Sequence, residues 1–234
     1  MFKTVILLTG QAEQSPLASI LRRHNPALNI HAATTAADLD ILAPRDLKRA
    51  RLIGFATPVI VPKWILDELG FGAYNFHPGP PHYPGWLPAH FAIYDRATEF
   101  GATAHVMVEK VDTGPIVGVE LFAIPPQASV AQLEQRAYVE IARLFWRLAP
   151  ALATQTEPLE ALPVQWRGRK STRRIVQTTC DIPIDISAHE LDCRIDAFGA
   201  GIFGIAPTVT IHGRTFRYVP QEAAAVPMPE RKSA

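Results

Sequence analysis

Cysteine is scarce in this sequence. Cys180 and Cys193 are the only two in 234 residues, too few for a disulfide scaffold, and a reducing, cytoplasmic setting is the expectation. They form no CxxC or paired Cys/His spacing of a zinc site, and His77 and His82, five apart on a loop, are poorly spaced as ligands, so no metal is expected. Net charge is nearly absent too. The formal value of +1 gives no global electrostatic case for nucleic acid or a membrane surface. The apolar run Thr4 to Thr9 is too short for a signal peptide or a membrane span, no later stretch is a transmembrane candidate, and there is no internal repeat. There is no GxxxxGK(S/T) phosphate loop and no GxSxG nucleophile elbow. Gly199 to Gly204 spells GxGxxG, but it follows a helix and precedes a strand, the reverse of a dinucleotide site, and reads as a turn feeding a hairpin.

The apolar content of 48% and charged content of 19% are those of a globular chain with one large domain, or one domain and a small appendage. Thr4 to Thr9, Leu28 to Ala32, Leu52 to Ala56 and Ala73 to Phe76 read as buried strands. Helices are expected between them. One is capped at Ser15-Pro16, a second covers Thr35 to Leu47 with a break at Pro44, and a third starts at Pro62 and stops at Gly70. This strand–helix order predicts an open, Rossmann-like, mostly parallel α/β sheet with helices on both faces, and ligands beyond the carboxyl ends of its strands. A helix at Pro88 to Thr98, strands at Ala102 to Val108 and Gly114 to Ile124, and a long amphipathic helix at Val130 to Leu152 complete the domain. The expected division is 1–153 catalytic domain, 154–163 linker, 164–220 small α+β subdomain, and 221–234 disordered tail. In the subdomain, Ser187 with Glu190 predicts a capping box, and His212-Gly213 predicts a hairpin turn.

The stretch from Tyr74 to Asp112 carries most of the chemistry. Asn75 and His77 lie two apart on an extended segment, so they share a face, while Tyr74 and Phe76 point into the packing. The loop after them holds Pro78, Pro80, Pro81 and Pro84 with Gly79 and Gly85, stiff yet able to bring backbone close to a ligand. Asp112 closes the next strand. Each has a plain structural reading, with Asn75 as a strand-end hydrogen bonder, His77 as a core histidine and Asp112 as a turn former. Together they make a donor pair plus a carboxylate that orients a histidine.

Asn75-Phe76-His77-Pro78, Tyr83-Pro84-Gly85, Gly101 to His105 and Val111-Asp112-Thr113-Gly114-Pro115 resemble the 10-formyltetrahydrofolate-dependent formyltransferase family. That family includes methionyl-tRNA, glycinamide ribonucleotide and sugar N-formyltransferases. The resemblance implies formyl transfer with 10-formyltetrahydrofolate as co-substrate and no metal, with Asn75, His77 and Asp112 as the catalytic residues. It implies that the pterin lies against Phe55, Thr57, Val59 and Ile60 and against the loop holding Glu109 and Val111, largely through backbone groups. Two departures stand out. The segment Phe55-Ala56-Thr57-Pro58-Val59-Ile60 stands where relatives often carry a tyrosine-glycine pair, and Gly79-Pro80-Pro81 stands where many follow His-Pro with Ser-Leu-Leu-Pro.

By the same resemblance, Val164 to Val219 is too short for the C-terminal barrel of methionyl-tRNA formyltransferases, although Ile184-Asp185-Ile186, Glu190-Leu191 and Arg194 to Phe198 look like its opening, and the hairpin that follows is similar to the short tail of nucleotide-sugar enzymes. A nucleotide-linked amino sugar is the expected acceptor. A methionyl-tRNA substrate, a hydrolase releasing formate, a non-catalytic folate-binding relative and a homodimeric state stay open. The basic run Arg167 to Arg174 reads either as a phosphate contact or as a solvated linker face.

Overall fold

The computed structural model describes residues 3–201 and 204–220, and the chain divides into two units, Met1–Thr172 and Arg173–Ala234. In the first unit, β1 (Thr4–Leu8), β2 (Asn29–Ala33), β3 (Ala50–Phe55), β4 (Ala73–His77), β5 (Glu99–Val106) and β6 (Ile116–Ala123) form one sheet in the order β2-β1-β3-β4-β5-β6. The first four strands run parallel, whereas β5 and β6 are antiparallel to their neighbours. The connections carry α1 (Gln11–His24), α2 (Ala36–Asp40), α3 (Pro44–Leu47), α4 (Lys63–Glu68), α5 (Pro88–Tyr94) and α6 (Val130–Thr154). No helix among the described residues is long and apolar enough to cross a membrane.

Strand alternation builds two cores. Val5 and Leu7 pack with Leu17 and Leu21 of α1 and with Ile141, Leu144 and Phe145 of α6. Ile6 and Leu8, one residue out of phase, pack with Leu39 of α2, Leu47 of α3 and Ile65 of α4. Helices therefore cover both faces, and each fully buried Leu or Phe contributes about 2 kcal/mol of hydrophobic stabilisation. The 25-residue α6 opens with a Ser129–Gln132 capping box, which satisfies two amide donors at its free end.

The last turn of α6 is held by Arg51, which is wholly buried on β3. Its guanidinium donates to the carbonyls of Phe71, Ala151, Leu152 and Gln155 at 2.8–3.1 Å and lies over the Tyr74 ring. Helix C-termini present carbonyls and a partial negative charge, and a planar cation with five donors meets both needs.

Four expectations change. The first helix starts at Gln11, not Ser15, and holds Pro16 inside it. The side-chain amide of the buried Gln14 donates to the carbonyls of Leu7 and Ala33, which anchors the opening turn to the ends of β1 and β2 and overrides the proline signal. The helix at Pro88 ends at Tyr94, short of Thr98. The boundary between units lies at Thr172, past the expected linker at 154–163. Leu159 is buried and donates its N–H to the Tyr74 hydroxyl, and Leu162 N–H donates to Ile116 O, so a polar, proline-bearing stretch packs against the first unit. Residues 164–172 belong to that unit as well.

The fourth change lies in the second unit, which opens with an unexpected helix, α7 (Arg173–Cys180), starting at the end of the basic run. It continues through β7 (Asp181–Ile182), α8 (Ala188–Phe198), β8 (Thr208–Ile211) and β9 (Arg214–Arg217), with the sheet in the order β7-β8-β9. The hairpin turns at His212-Gly213, both at positive φ, as a tight two-residue turn requires. Ser187 caps α8, but the Glu190 carboxylate takes Arg194 at 2.8 Å. The expected tail from 221, and Ile202 and Phe203 of the GxGxxG string, lie outside the described residues.

Candidate active site

Asn75 and His77 occupy the carboxyl end of β4, on the opposite face from Tyr74 and Phe76, which are in the α6-side core. The antiparallel partner completes the face. β5 sets His105 opposite Asn75 and Thr103 opposite His77, and residues opposite one another share a face. The β5–β6 register shifts at Ala104/His105, and such irregularities re-aim side chains beside functional sites. Asp112 comes from the turn after β5. It takes a left-handed backbone at φ 51, which aspartate tolerates better than most side chains.

The carboxylate of Asp112 is the hub. It accepts from Gly85 N–H at 2.8 Å, lies 3.2 Å from His105 Nε2 and 3.7 Å from His77 Nδ1. His77, His105 and Asp112 are buried, while Asn75 is half-buried. His105 Nδ1 is 2.9 Å from the Val106 carbonyl, which can only accept, so Nδ1 carries a hydrogen. Nε2 then faces both the Asn75 amide, Nδ2 at 3.2 Å, and the Asp112 carboxylate. A proton taken up there would lie between imidazole and carboxylate. His77 Nε2 is 3.1 Å from Tyr83 O, so its N–H is given to the loop. Asn75 has one further amide hydrogen for a ligand.

Burial alone would raise the Asp112 carboxyl. The His77 charge, the His105 hydrogen bond and charge, and the Gly85 N–H outweigh it and hold the carboxyl well below the usual carboxylate range. Burial pushes His77 down, against the pull of Asp112 and the Tyr83 bond, and the nearby His105 charge lowers it further. The site thus favours the ionised Asp112 carboxylate, while burial works against a charge on His77.

The proline-rich loop is fixed at several points. Thr103 Oγ1 donates to Gly79 O at 2.8 Å. A side chain on Gly79 would put Cβ 2.6 Å from His77 Nε2 and 2.7 Å from Pro88 Cβ. The glycine that departs from the serine of relatives therefore gives the His77 ring its room. Residues 162–171 run along the loop as a strap. Arg167 N–H donates to Pro81 O, Ser171 N–H to Pro84 O, and Trp86 N–H to Ser171 O. Trp166 reaches over the site, edge-on to His105 and His77 with ring centroids 5.0 and 5.8 Å away, and its indole N–H donates to Gly114 O.

The structure brings Asn75, His77 and Asp112 together. The expected folate residues divide. Phe55 is a core side chain, packed on Phe76 and Phe145, and its carbonyl accepts from Thr9 Oγ1. Thr57 and Val59 are half-buried, Glu109 is exposed, and Ile60 and Val111 present exposed apolar surface together with Val108. Sequence reading missed His105 and Trp166 as site members. His105 shares strand parity with Thr103, but the β4–β5 register that sets it against Asn75 is a tertiary fact. Trp166 lies in a stretch read as a small subdomain.

A buried carboxylate–histidine cluster and a half-exposed amide thus gather at the carboxyl end of a strand in an open, Rossmann-like α/β sheet, where such folds bind ligands. Residues 52–145 match the family model described as formyl transferase. A methionyl-tRNA formyltransferase of Parvibaculum lavamentivorans is 30% identical over 189 residues, covering 80% of this chain and 60% of that protein. The chain thus spans less than two thirds of that relative's length. Among solved structures, a 4-N formyltransferase from Francisella tularensis superposes with TM-score 0.73 at 16% identity, covering 94% of this chain and 97% of that one. An N-formyltransferase from Helicobacter canadensis, in complex with folinic acid and dTDP-3-aminofucose, gives TM-score 0.63 at 15% identity, covering 91% and 85%. These two likenesses are of fold.

Proposed function

We propose that the protein moves a formyl group from 10-formyltetrahydrofolate to a primary amine, and that the amine belongs to a nucleotide-linked sugar. The observation that carries the reaction is the pairing of both His77 and His105 with the Asp112 carboxylate, with the Asn75 amide bonded to His105. The acceptor amine attacks the formyl carbon, and its proton passes toward Asp112 and His105 Nε2. Asn75 donates to the oxyanion that forms, and His77 does so once its ring turns away from Tyr83. The amine–carbon bond forms, the carbon–N10 bond breaks, and N10 takes a proton. The exposed apolar Ile60, Val108 and Val111 fit a flat pterin ring beside this polar group.

The sugar acceptor is supported by the likeness of fold to the Helicobacter enzyme, which holds a nucleotide sugar. The second reading, a methionyl-tRNA acceptor, is favoured by the 30% identity to the Parvibaculum protein. The test is to follow tetrahydrofolate release from 10-formyltetrahydrofolate with nucleotide-linked amino sugars, methionyl-tRNA or no acceptor. Release that requires an amino sugar supports the proposal. Release that requires methionyl-tRNA selects the second reading, release without an amine indicates a hydrolase, and folate binding without release indicates a non-catalytic relative.

A further inference from the structure

We infer that Trp166 is a positioning residue that shields the His77–His105–Asp112 cluster and so decides that an amine, rather than water, takes the formyl group. The inference rests on the formyl-transfer reading for its chemistry, but its geometry stands apart from it. The indole meets both histidines edge-on, and both are buried although they lie at the end of a sheet beside two surface loops. The strap cannot drift. Backbone bonds join it to Pro81, Pro84 and Trp86 on one loop, and Lys170 Nζ joins it to Val111 O, next to Asp112, at 2.6 Å. The indole N–H on Gly114 O fixes the ring itself.

The chemistry gives this shield a purpose. A formyl group bound beside an ionised carboxylate and a proton-accepting imidazole is open to any nucleophile within reach. If water attacks, its oxygen bonds to the formyl carbon, its proton goes to the same acceptors, the carbon–N10 bond breaks, N10 is protonated, and formate leaves with tetrahydrofolate. The residues that promote transfer would promote this loss equally. Selectivity must then come from keeping water away from them, and closing a site against water suppresses such side reactions. Asn75, half-buried, is left as the member open to substrates.

The test compares the wild type with W166A and W166F by two readouts. The first needs no donor: diethyl pyrocarbonate modification of His77 and His105, mapped by mass spectrometry on proteins whose circular dichroism and thermal unfolding show a retained fold. Both histidines should react in W166A and stay protected in the wild type and in W166F. The second is the ratio of formate release to formyl transfer, which should rise about tenfold or more in W166A and return near the wild-type ratio in W166F. W166L, apolar but lacking the ring, takes the place of W166A if that variant fails to fold. Histidines that are reactive in the wild type, or equally protected in folded W166A, overturn the shielding. An unchanged ratio in a folded W166A overturns the partition role. A wild type that moves no formyl group but shows the protection pattern sinks the proposed reaction and supports the shield.

Discussion

The backbone N–H of Gly85 donates to the side chain of Asp112 at 2.8 Å across 27 residues of sequence. The loop after β4 and the turn after β5 therefore share one carboxylate, and the group that orients the histidines also closes the proline loop. Replacing Asp112 should separate these roles. D112N keeps an oxygen for Gly85 but cannot hold a proton, and its turnover should fall by about three orders of magnitude with little change in stability. D112A should lose the same activity and also about 1–3 kcal/mol of stability, because the Gly85 donor goes unsatisfied. Single-turnover rates and urea unfolding check both. A D112N protein with undiminished turnover would sink the assignment.

In the proposed reaction, Asn75 supplies the amide hydrogen left for an oxyanion. N75A should lower the rate of formyl transfer by about two orders of magnitude, a loss of about 3 kcal/mol in transition-state stabilisation, while leaving folate binding within a few fold. Steady-state kinetics beside equilibrium folate titration measures the two separately.

Gly85 has φ 98, and a Cβ there would lie 2.2 Å from Ser171 O. G85A should destabilise the protein by about 2 kcal/mol through backbone strain and displacement of the strap. A G85A midpoint in urea equal to that of the wild type would contradict the contact.

Acid should weaken the fold before it touches most carboxylates. Burial pushes His90 on α5 down to about 4 from 6.5. The unfolded chain takes up this proton near pH 6.5 and the folded one only near 4, so the stability is full above 6.5 and is lost as pH falls through that window. The loss is on the order of 2–3 kcal/mol, softened by Glu134 3.8 Å away. His77 shifts in the same direction. The Asp112 contribution goes later, as pH falls below the ordinary carboxylate range. Urea unfolding at pH 7.5 and 4.5 should show a smaller difference for H90Q than for the wild type.

The parallel half of the sheet was legible because buried strands are continuous apolar runs punctuated by Gly and Pro. The site was legible as far as one strand's parity reached. Asn75 and His77 follow from period two, and Asp112 from resemblance. His105 was not legible as a partner, since its pairing with Asn75 depends on how β5 turns back against β4. Trp166 was hidden because one apolar anchor, Leu159, and a few backbone bonds decide that a polar segment packs, and neither alters its composition enough to notice. The start of α1 was misread at Ser15-Pro16 for a similar reason: the deciding group is a glutamine amide that reaches two strand ends.

Arg51 bears on the order of events as the protein is made. It enters the sheet early in the chain, yet three carbonyls that receive it belong to residues 151–155, about a hundred positions later. Until that segment leaves the ribosome, a folded β3 would enclose a cation with these acceptors missing, at a cost of several kcal/mol. The parallel strands can collapse as they emerge, but they cannot lock. Docking of α6 is then the committing step of folding, a long-range contact of the kind that slows the search, and a fragment ending before Ala151 should bind chaperones instead of reaching a native state.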